Sequence, residues 1–148
     1  MGSSYTEFQG NGFWCRDPAL EIWLYLLVQE INKRKPLPQW LATARDHWYE
    51  GATLGISGCI DADLDNLLSE GDRVETAVAI AQEALHSLRQ QGPLLRRDFL
   101  NDMKIGGPGS FFTGDVETLP LERVGEAFVE LLRGQCTTSG SDSPMFGM

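Results

Sequence analysis

A long apolar run that begins at position 17 constrains the fold of this chain more than any other feature. The stretch Asp17–Ile31, DPALEIWLYLLVQEI, puts apolar side chains at nearly every angle of a helical wheel. Asp17 can accept hydrogen bonds from the free amides of a first turn, and the proline after it suits the first helical position. A helix that is apolar on all sides is buried on most of them. We therefore expect a buried central helix at 17–32, with the other segments packed around it.

Five further segments have apolar residues at the three- and four-residue spacing of amphipathic helices. They cover approximately residues 38–50, 61–70, 72–91, 94–105 and 119–133. The stretch Ala52–Ile60, ATLGISGCI, contains β-branched residues but is broken by two glycines, so we expect at most a minor strand near 52–60. The sequence thus predicts a mainly α fold: a compact single-domain bundle of about five to six helices around the central one.

The domain organisation follows from length and local composition. A chain of 148 residues has the usual size of one domain with one core. We assign residues 1–134 to a single globular helical domain. Residues 135–148 are mostly Ser, Thr, Gly and Asp, and we expect them to form a tail without fixed structure.

The charge of the chain limits its partners. A formal net charge of −9 disfavours nucleic acid and anionic membranes, which bind clustered Lys and Arg, and it favours a basic protein. The longest apolar run, Ile22–Val28, is too short to cross a bilayer, so we expect no membrane partner. The three cysteines form no CxxC pair, which fits a reducing cytoplasmic location. Cys15 and Cys59 have apolar neighbours, and we interpret both as small core residues.

The segment 106–115, GGPGSFFTGD, is the most irregular part of the sequence. Its four glycines permit close backbone approach, so its amides could hold an anion. The segment matches neither GxxxxGK[ST] nor GxGxxG, and a turn-rich loop is the simpler interpretation.

The segment 61–72, DADLDNLLSEGD, spaces three aspartates like the first ligands of a calcium loop. An asparagine replaces the glycine that this loop needs at its sixth position. Acidic residues at the start of a short helix are also stabilised by its amides without any ion. We therefore predict no metal and no cofactor.

His47 could act as a general base with Cys59 as a nucleophile, but nothing in their spacing requires it. We assign no catalytic residue. One alternative function remains: a small enzyme or ligand-binding domain whose pocket is formed by the 106–115 loop, His47 and the 61–72 segment.

Several aromatic residues stand close in the sequence to acidic ones. The candidate interaction surface consists of Trp14, Tyr49, Glu50, Phe111, Phe112, Asp115 and Glu117. Aromatic anchors dominate the energy of many interfaces, and an acidic rim steers a basic partner. The leading hypothesis is a small acidic cytoplasmic interaction domain, for example a bacterial immunity-type protein that binds and neutralises a basic protein. A third hypothesis is a homo-oligomer formed through the 72–91 or the 119–133 helix.

Overall fold

The computed structural model describes residues 2–148, and this part of the chain contains six α-helices and five strands. The helices are α1 (Asp17–Asn32), α2 (Gln39–Thr53), α3 (Leu64–Leu67), α4 (Arg73–Gln90), α5 (Arg97–Asp102) and α6 (Thr118–Leu132). The strands are β1 (Ser3–Phe8), β2 (Asn11–Arg16), β3 (Leu94–Leu95), β4 (Val116–Glu117) and β5 (Met145–Phe146), and a 3₁₀ turn covers Gly140–Asp142.

The prediction of a mainly α helical bundle is wrong, because the protein combines its helices with two small sheets. About 52% of the residues are helical. One sheet has three strands in the order β1-β2-β5, and the other pairs β3 with β4. Residues 52–60, for which we predicted at most a minor strand, form none: α2 continues to Thr53, and the chain that follows it is irregular.

The β1–β2 hairpin is the element that the helical interpretation missed. Gln9 and Gly10 both have positive φ, 51° and 86°, which gives the two-residue turn whose twist matches that of hairpin strands. Ser4, Thr6 and Phe8 alternate towards the interior and are buried. Two of these three inward residues are polar, so the strand lacks the apolar alternation by which a half-buried strand is recognised.

The helix expected from position 17 is present as α1, and it lies at the centre of the core. Twelve of its sixteen residues are buried, and it packs against α2, α4 and α6. Trp23 is fully buried and meets the Phe128 ring at a centroid distance of 5.8 Å. Gly125 lets α6 approach this ring closely, since a Cβ atom there would lie 2.7 Å from Trp23 Cη2. The close contact of α1 with α6 therefore depends on a residue without a side chain.

Composition predicts a tail without fixed structure at 135–148, whereas the structure lays this segment along the hairpin. β5 pairs in parallel with β2, joining Trp14 to Met145 and Cys15 to Phe146. The Trp14 amide also donates to the carbonyl of Pro144 at 2.8 Å. The three-stranded sheet thus joins the first residues of the chain to the last ones.

None of the helices within residues 2–148 combines the length and the hydrophobicity that crossing a membrane requires.

Candidate functional site

The second half of α2 and the chain that follows it are strongly acidic. Residues 46–72 contain seven carboxylates and no Lys or Arg. The seven are Asp46, Glu50, Asp61, Asp63, Asp65, Glu70 and Asp72. We call this segment the acidic face. Among residues 2–148, its carboxylates form ion pairs near its two ends, where Arg45 pairs with Asp46 at 3.1 Å and Arg73 pairs with Glu70 at 3.4 Å.

Two ring nitrogens of α2 hold the acidic face together. His47 Nε2 lies 2.6 Å from the carbonyl oxygen of Asp61, and Trp48 Nε1 donates to the carbonyl oxygen of Ala62 at 2.8 Å. The 61–72 segment is therefore fixed against the flank of α2 that carries His47. The imidazole of His47 is used to position this backbone.

The carboxylates of the 61–72 segment bind backbone and side-chain N–H groups of the protein. Asp61 accepts from the amide of Asp63, and Asp63 accepts from the side-chain amide of Asn66. Asp65 accepts from the amide of Gln9 in the hairpin turn at 2.8 Å. Within residues 2–148 no three His, Cys, Asp or Glu side chains are grouped so that they could hold a metal ion.

A cleft of about 450 Å³ lies on the opposite flank of α2. It is lined by Tyr49, Thr53, Asn101, Lys104, Gly107, Pro108, Gly109 and Ser110. Successive residues of an α-helix turn by about 100°, so His47 and Tyr49 lie about 200° apart on α2. The structure thus brings the glycine-rich loop to Tyr49, and it brings the 61–72 segment to His47. The described walls of this cleft include neither His47 nor the 61–72 segment, so this cleft does not join the three parts of the alternative pocket.

The glycine-rich loop is held in place by its own backbone. The Gly106 amide donates to the carbonyl of Ala52, and the Gly107 and Ser110 amides donate to carbonyls within the turn. The side chain of Asn101 fixes the far end, because it donates to Phe112 O at 3.0 Å and accepts from Phe112 N at 2.8 Å. Three loop amides that could hold an anion are therefore already bonded.

The structure distributes the seven residues of the predicted interaction surface over several places. Tyr49, 47% exposed, lines the cleft, while Glu50 lies on the solvent-facing side of α2 between the two flanks. Phe111 is 70% exposed at the end of the glycine-rich loop. Tyr49 and Glu50 lie near the end of α2, where Leu54 also projects into solvent, and Phe111 follows Ser110, which lines the same cleft as Tyr49.

The other four residues have local structural roles. Phe112 and Glu117 line an apolar groove beside the start of α1. Asp115 accepts from the amide of Arg97 at 2.9 Å at the start of α5. Trp14 lies under the C-terminal segment, where its indole donates to the carbonyl of Gly140 at 3.3 Å.

The sequence interpretation missed a buried carboxylate network at the start of α1. Asp17 was expected to accept from the amides of its own helix, but its side chain makes no such capping bond. Instead, Asp17 Oδ1 accepts from Ser4 Oγ at 2.6 Å and Oδ2 accepts from the amide of Gly58 at 2.8 Å. Ser4 Oγ also accepts from the amide of Ile60 at 2.9 Å. The network therefore joins β1, α1 and the irregular chain after α2.

Glu21 lies one helical turn beyond Asp17 and is only 7% exposed. Burial, and to a smaller extent the charge of Asp17, raises the pKa of Glu21 to about 7. Nothing in the sequence signals this, because Glu21 stands at a position that could equally face solvent.

The two cysteines that we predicted in the core differ in their burial. Cys15 is buried, and burial followed by the charge of Asp17 raises the pKa of its thiol to about 12. The thiolate of Cys15 is therefore not populated at neutral pH. Cys59 is exposed in the irregular chain after α2, so the prediction that it is a core residue is wrong.

No protein-family model, no curated protein and no solved structure matches this chain.

Proposed function

We propose that the protein is a small interaction domain that binds a basic protein through the acidic face. The observation that carries the proposal is the run of seven carboxylates without a Lys or Arg at 46–72. Clustered charge of one sign raises the rate of association with an oppositely charged partner.

Exposed apolar side chains next to the acidic face provide anchors for such a partner. Tyr49, Leu54 and Phe111 are all largely exposed, and Glu50 lies beside the first of them. Interfaces gain most of their energy from a few aromatic or large apolar residues, while the charged rim steers the encounter. This combination favours a protein partner over a small cation.

An immunity-type role is the specific form of this proposal. A protein that neutralises a basic toxin must associate with it quickly and dissociate slowly, and opposite charge with apolar anchors favours both. The C-terminal segment 135–148 and the apolar groove beside the start of α1 have no part in this proposal.

The test begins with identification of a partner from the source cell. A photo-crosslinking amino acid at position 49 captures whatever protein contacts the exposed end of α2. The captured protein is then purified and its affinity is measured calorimetrically over a range of salt concentrations. We expect a basic partner whose affinity falls as salt rises, because the interaction is screened.

Two triple variants with the same change in net charge distinguish the acidic face from a general charge effect. Glu50→Gln, Asp61→Asn and Asp72→Asn neutralise the acidic face and are expected to weaken binding about tenfold or more at low salt. The control variant, Glu126→Gln, Glu130→Gln and Asp142→Asn, neutralises exposed carboxylates elsewhere and should change affinity less than about twofold. Equal losses in both variants, or binding that does not respond to salt, would contradict the proposal. Rescue of cell growth upon co-expression with the partner tests the neutralising role separately.

A further inference from the structure

A second cavity lies on another side of the molecule, between α1, α4 and the β3–α5 segment. Its volume is about 210 Å³. It is lined by Leu26, Gln29, Ser87, Leu88, Gln91, Leu95, Arg96 and Phe99. Four of these side chains are apolar and the other four are polar or positively charged. None of the described lining residues is acidic, although the chain has a net charge of −9.

The apolar floor of this cavity belongs to the core. Leu88 and Leu95 are buried, and Phe99 packs edge-on against Tyr25 with the ring centroids 6.4 Å apart. The Ser87 hydroxyl donates to Glu30 Oε1 at 2.7 Å, which holds α4 against α1 beside the cavity. Lys33 pairs with Glu30 at 2.9 Å, so the nearest buried carboxylate already has a cation and a hydroxyl donor. The floor and one wall are therefore fixed before any ligand arrives.

The polar rim of the cavity carries the positive charge of Arg96, which is not neutralised by an ion pair within the described chain. Arg96 is exposed and forms no ion pair with another residue of the described chain. Its neighbour Arg97 is used differently, because its guanidinium donates to Thr113 O at 3.1 Å and its amide donates to Asp115. Arg97 is thus hydrogen-bonded within the protein, whereas Arg96 lines the cavity without an ion-pair partner. The side chains of Gln29 and Gln91 add amide donors to the same rim.

From this arrangement we infer that the cavity binds a small carboxylate with a short apolar body. The guanidinium of Arg96 matches a carboxylate with two parallel hydrogen bonds, and apolar atoms fit against Leu88, Leu95 and Phe99. Pockets for small molecules characteristically combine an apolar lining with a few convergent polar groups. The volume of about 210 Å³ suits a small ligand, and we take a six-carbon carboxylate as its probe. This inference does not depend on the proposed protein partner, since the cavity lies outside the acidic face.

The test is a titration of the purified protein with hexanoate, followed by amide NMR. Acetate carries the charged group alone, and 1-hexanol carries the apolar chain without the charge. We expect hexanoate to shift the signals of Gln29, Gln91 and Leu95 with saturation. Acetate and 1-hexanol should each bind at least about tenfold more weakly, because each lacks half of the complementary groups.

Two arginine variants test whether hexanoate binding depends on Arg96. Arg96→Gln should weaken hexanoate binding about tenfold while leaving 1-hexanol unchanged, since it removes the charged hydrogen bonds alone. Arg123→Gln removes the same charge from an exposed position on α6 and should leave both titrations unchanged. Because Arg96 is exposed and unpaired, the thermal midpoint of Arg96→Gln should match that of the unmodified protein, which confirms folding. Equal binding of hexanoate and 1-hexanol, wild-type affinity in Arg96→Gln, or no saturable shift with hexanoate would each overturn the inference.

Discussion

Ser4 Oγ donates a hydrogen bond of 2.6 Å to Asp17 Oδ1, and both side chains are almost completely buried. This bond joins the first strand to the start of the central helix. The same hydroxyl accepts from the amide of Ile60, so one side chain connects three segments of the chain.

Ser4→Ala is therefore expected to lower the free energy of unfolding by about 2 kcal/mol, since it removes a donor from a buried carboxylate and an acceptor from a buried amide. Urea denaturation followed by circular dichroism measures the change. Ser3→Ala is the matched control on the outer side of the same strand and should change stability by less than about 0.5 kcal/mol. Equal stability of the two variants would show that the bond contributes nothing.

The raised pKa of Glu21 predicts how stability depends on pH. The folded protein holds the Glu21 proton up to a pKa of about 7, whereas an unfolded chain releases it near the ordinary glutamate pKa of 4.5. The folded state therefore binds more protons between these values, and this contribution to stability is present below pH 4.5 and lost as pH rises through 7.

Glu21→Gln keeps the shape of the side chain and removes the ionisation. Above pH 7 the variant should be more stable than the unmodified protein by on the order of 2 kcal/mol, while near pH 4.5 the two should agree. Chemical denaturation at several pH values gives the comparison. Glu130→Gln, at an exposed position of α6, serves as the control and should leave the pH profile unchanged. A profile for Glu21→Gln that parallels the unmodified protein would contradict the burial argument.

Gly125 tests the close packing of α6 against α1. A methyl group there would lie 2.5 Å from Leu85 Cδ2 and 2.7 Å from Trp23 Cη2. Alanine gains about 1 kcal/mol of helix propensity over glycine, but overpacking of a core costs about 1–3 kcal/mol. We expect Gly125→Ala to be destabilising on balance, with a lower thermal midpoint. Gly114→Ala, where nothing lies within 4 Å of the new methyl group, should leave the midpoint nearly unchanged.

Asn101 controls the order of the glycine-rich loop. Asn101→Ala removes both side-chain hydrogen bonds to the backbone of Phe112 and should free the loop without unfolding the domain. Hydrogen exchange of the Phe112 amide is expected to become faster by about tenfold or more, while amides in α1 keep their protection. Asp102→Ala, at the exposed neighbouring position, should leave the exchange of Phe112 unaltered. Faster exchange across α1 as well would mean that the substitution destabilises the whole core.

The spacing of apolar residues was sufficient to predict the long helices but not to predict the strands. The helix predicted at 72–91 is observed as Arg73–Gln90, and that predicted at 119–133 is observed as Thr118–Leu132. These helices bury apolar residues at regular spacing, so the pattern is visible locally. The inward face of β1 instead includes Ser4, whose buried hydroxyl is satisfied by residues 13 and 56 positions away. A strand whose inner polar groups depend on distant partners has no local signature.

In the candidate site, too, some features were visible in the local sequence, and others depend on packing between distant segments. The acidic composition of 61–72 is evident in the sequence, and so is the aromatic character of Tyr49 and Phe111. Helix geometry puts His47 and Tyr49 on opposite flanks of α2, but the sequence could not indicate which segments pack against each flank. Burial of Glu21 and exposure of Cys59 depend on the fold in the same way.

The parallel pairing of β5 with β2 has a consequence for protein synthesis. The hairpin can close soon after it leaves the ribosome, but the segment that covers Trp14 follows 126 residues later in the chain. Throughout translation of the intervening helices, the free edge of β2 and the adjoining Tyr5 and Trp14 rings remain uncovered. The edge of β2 thus stays unpaired until β5 has been made, and unpaired strand edges are prone to aggregation.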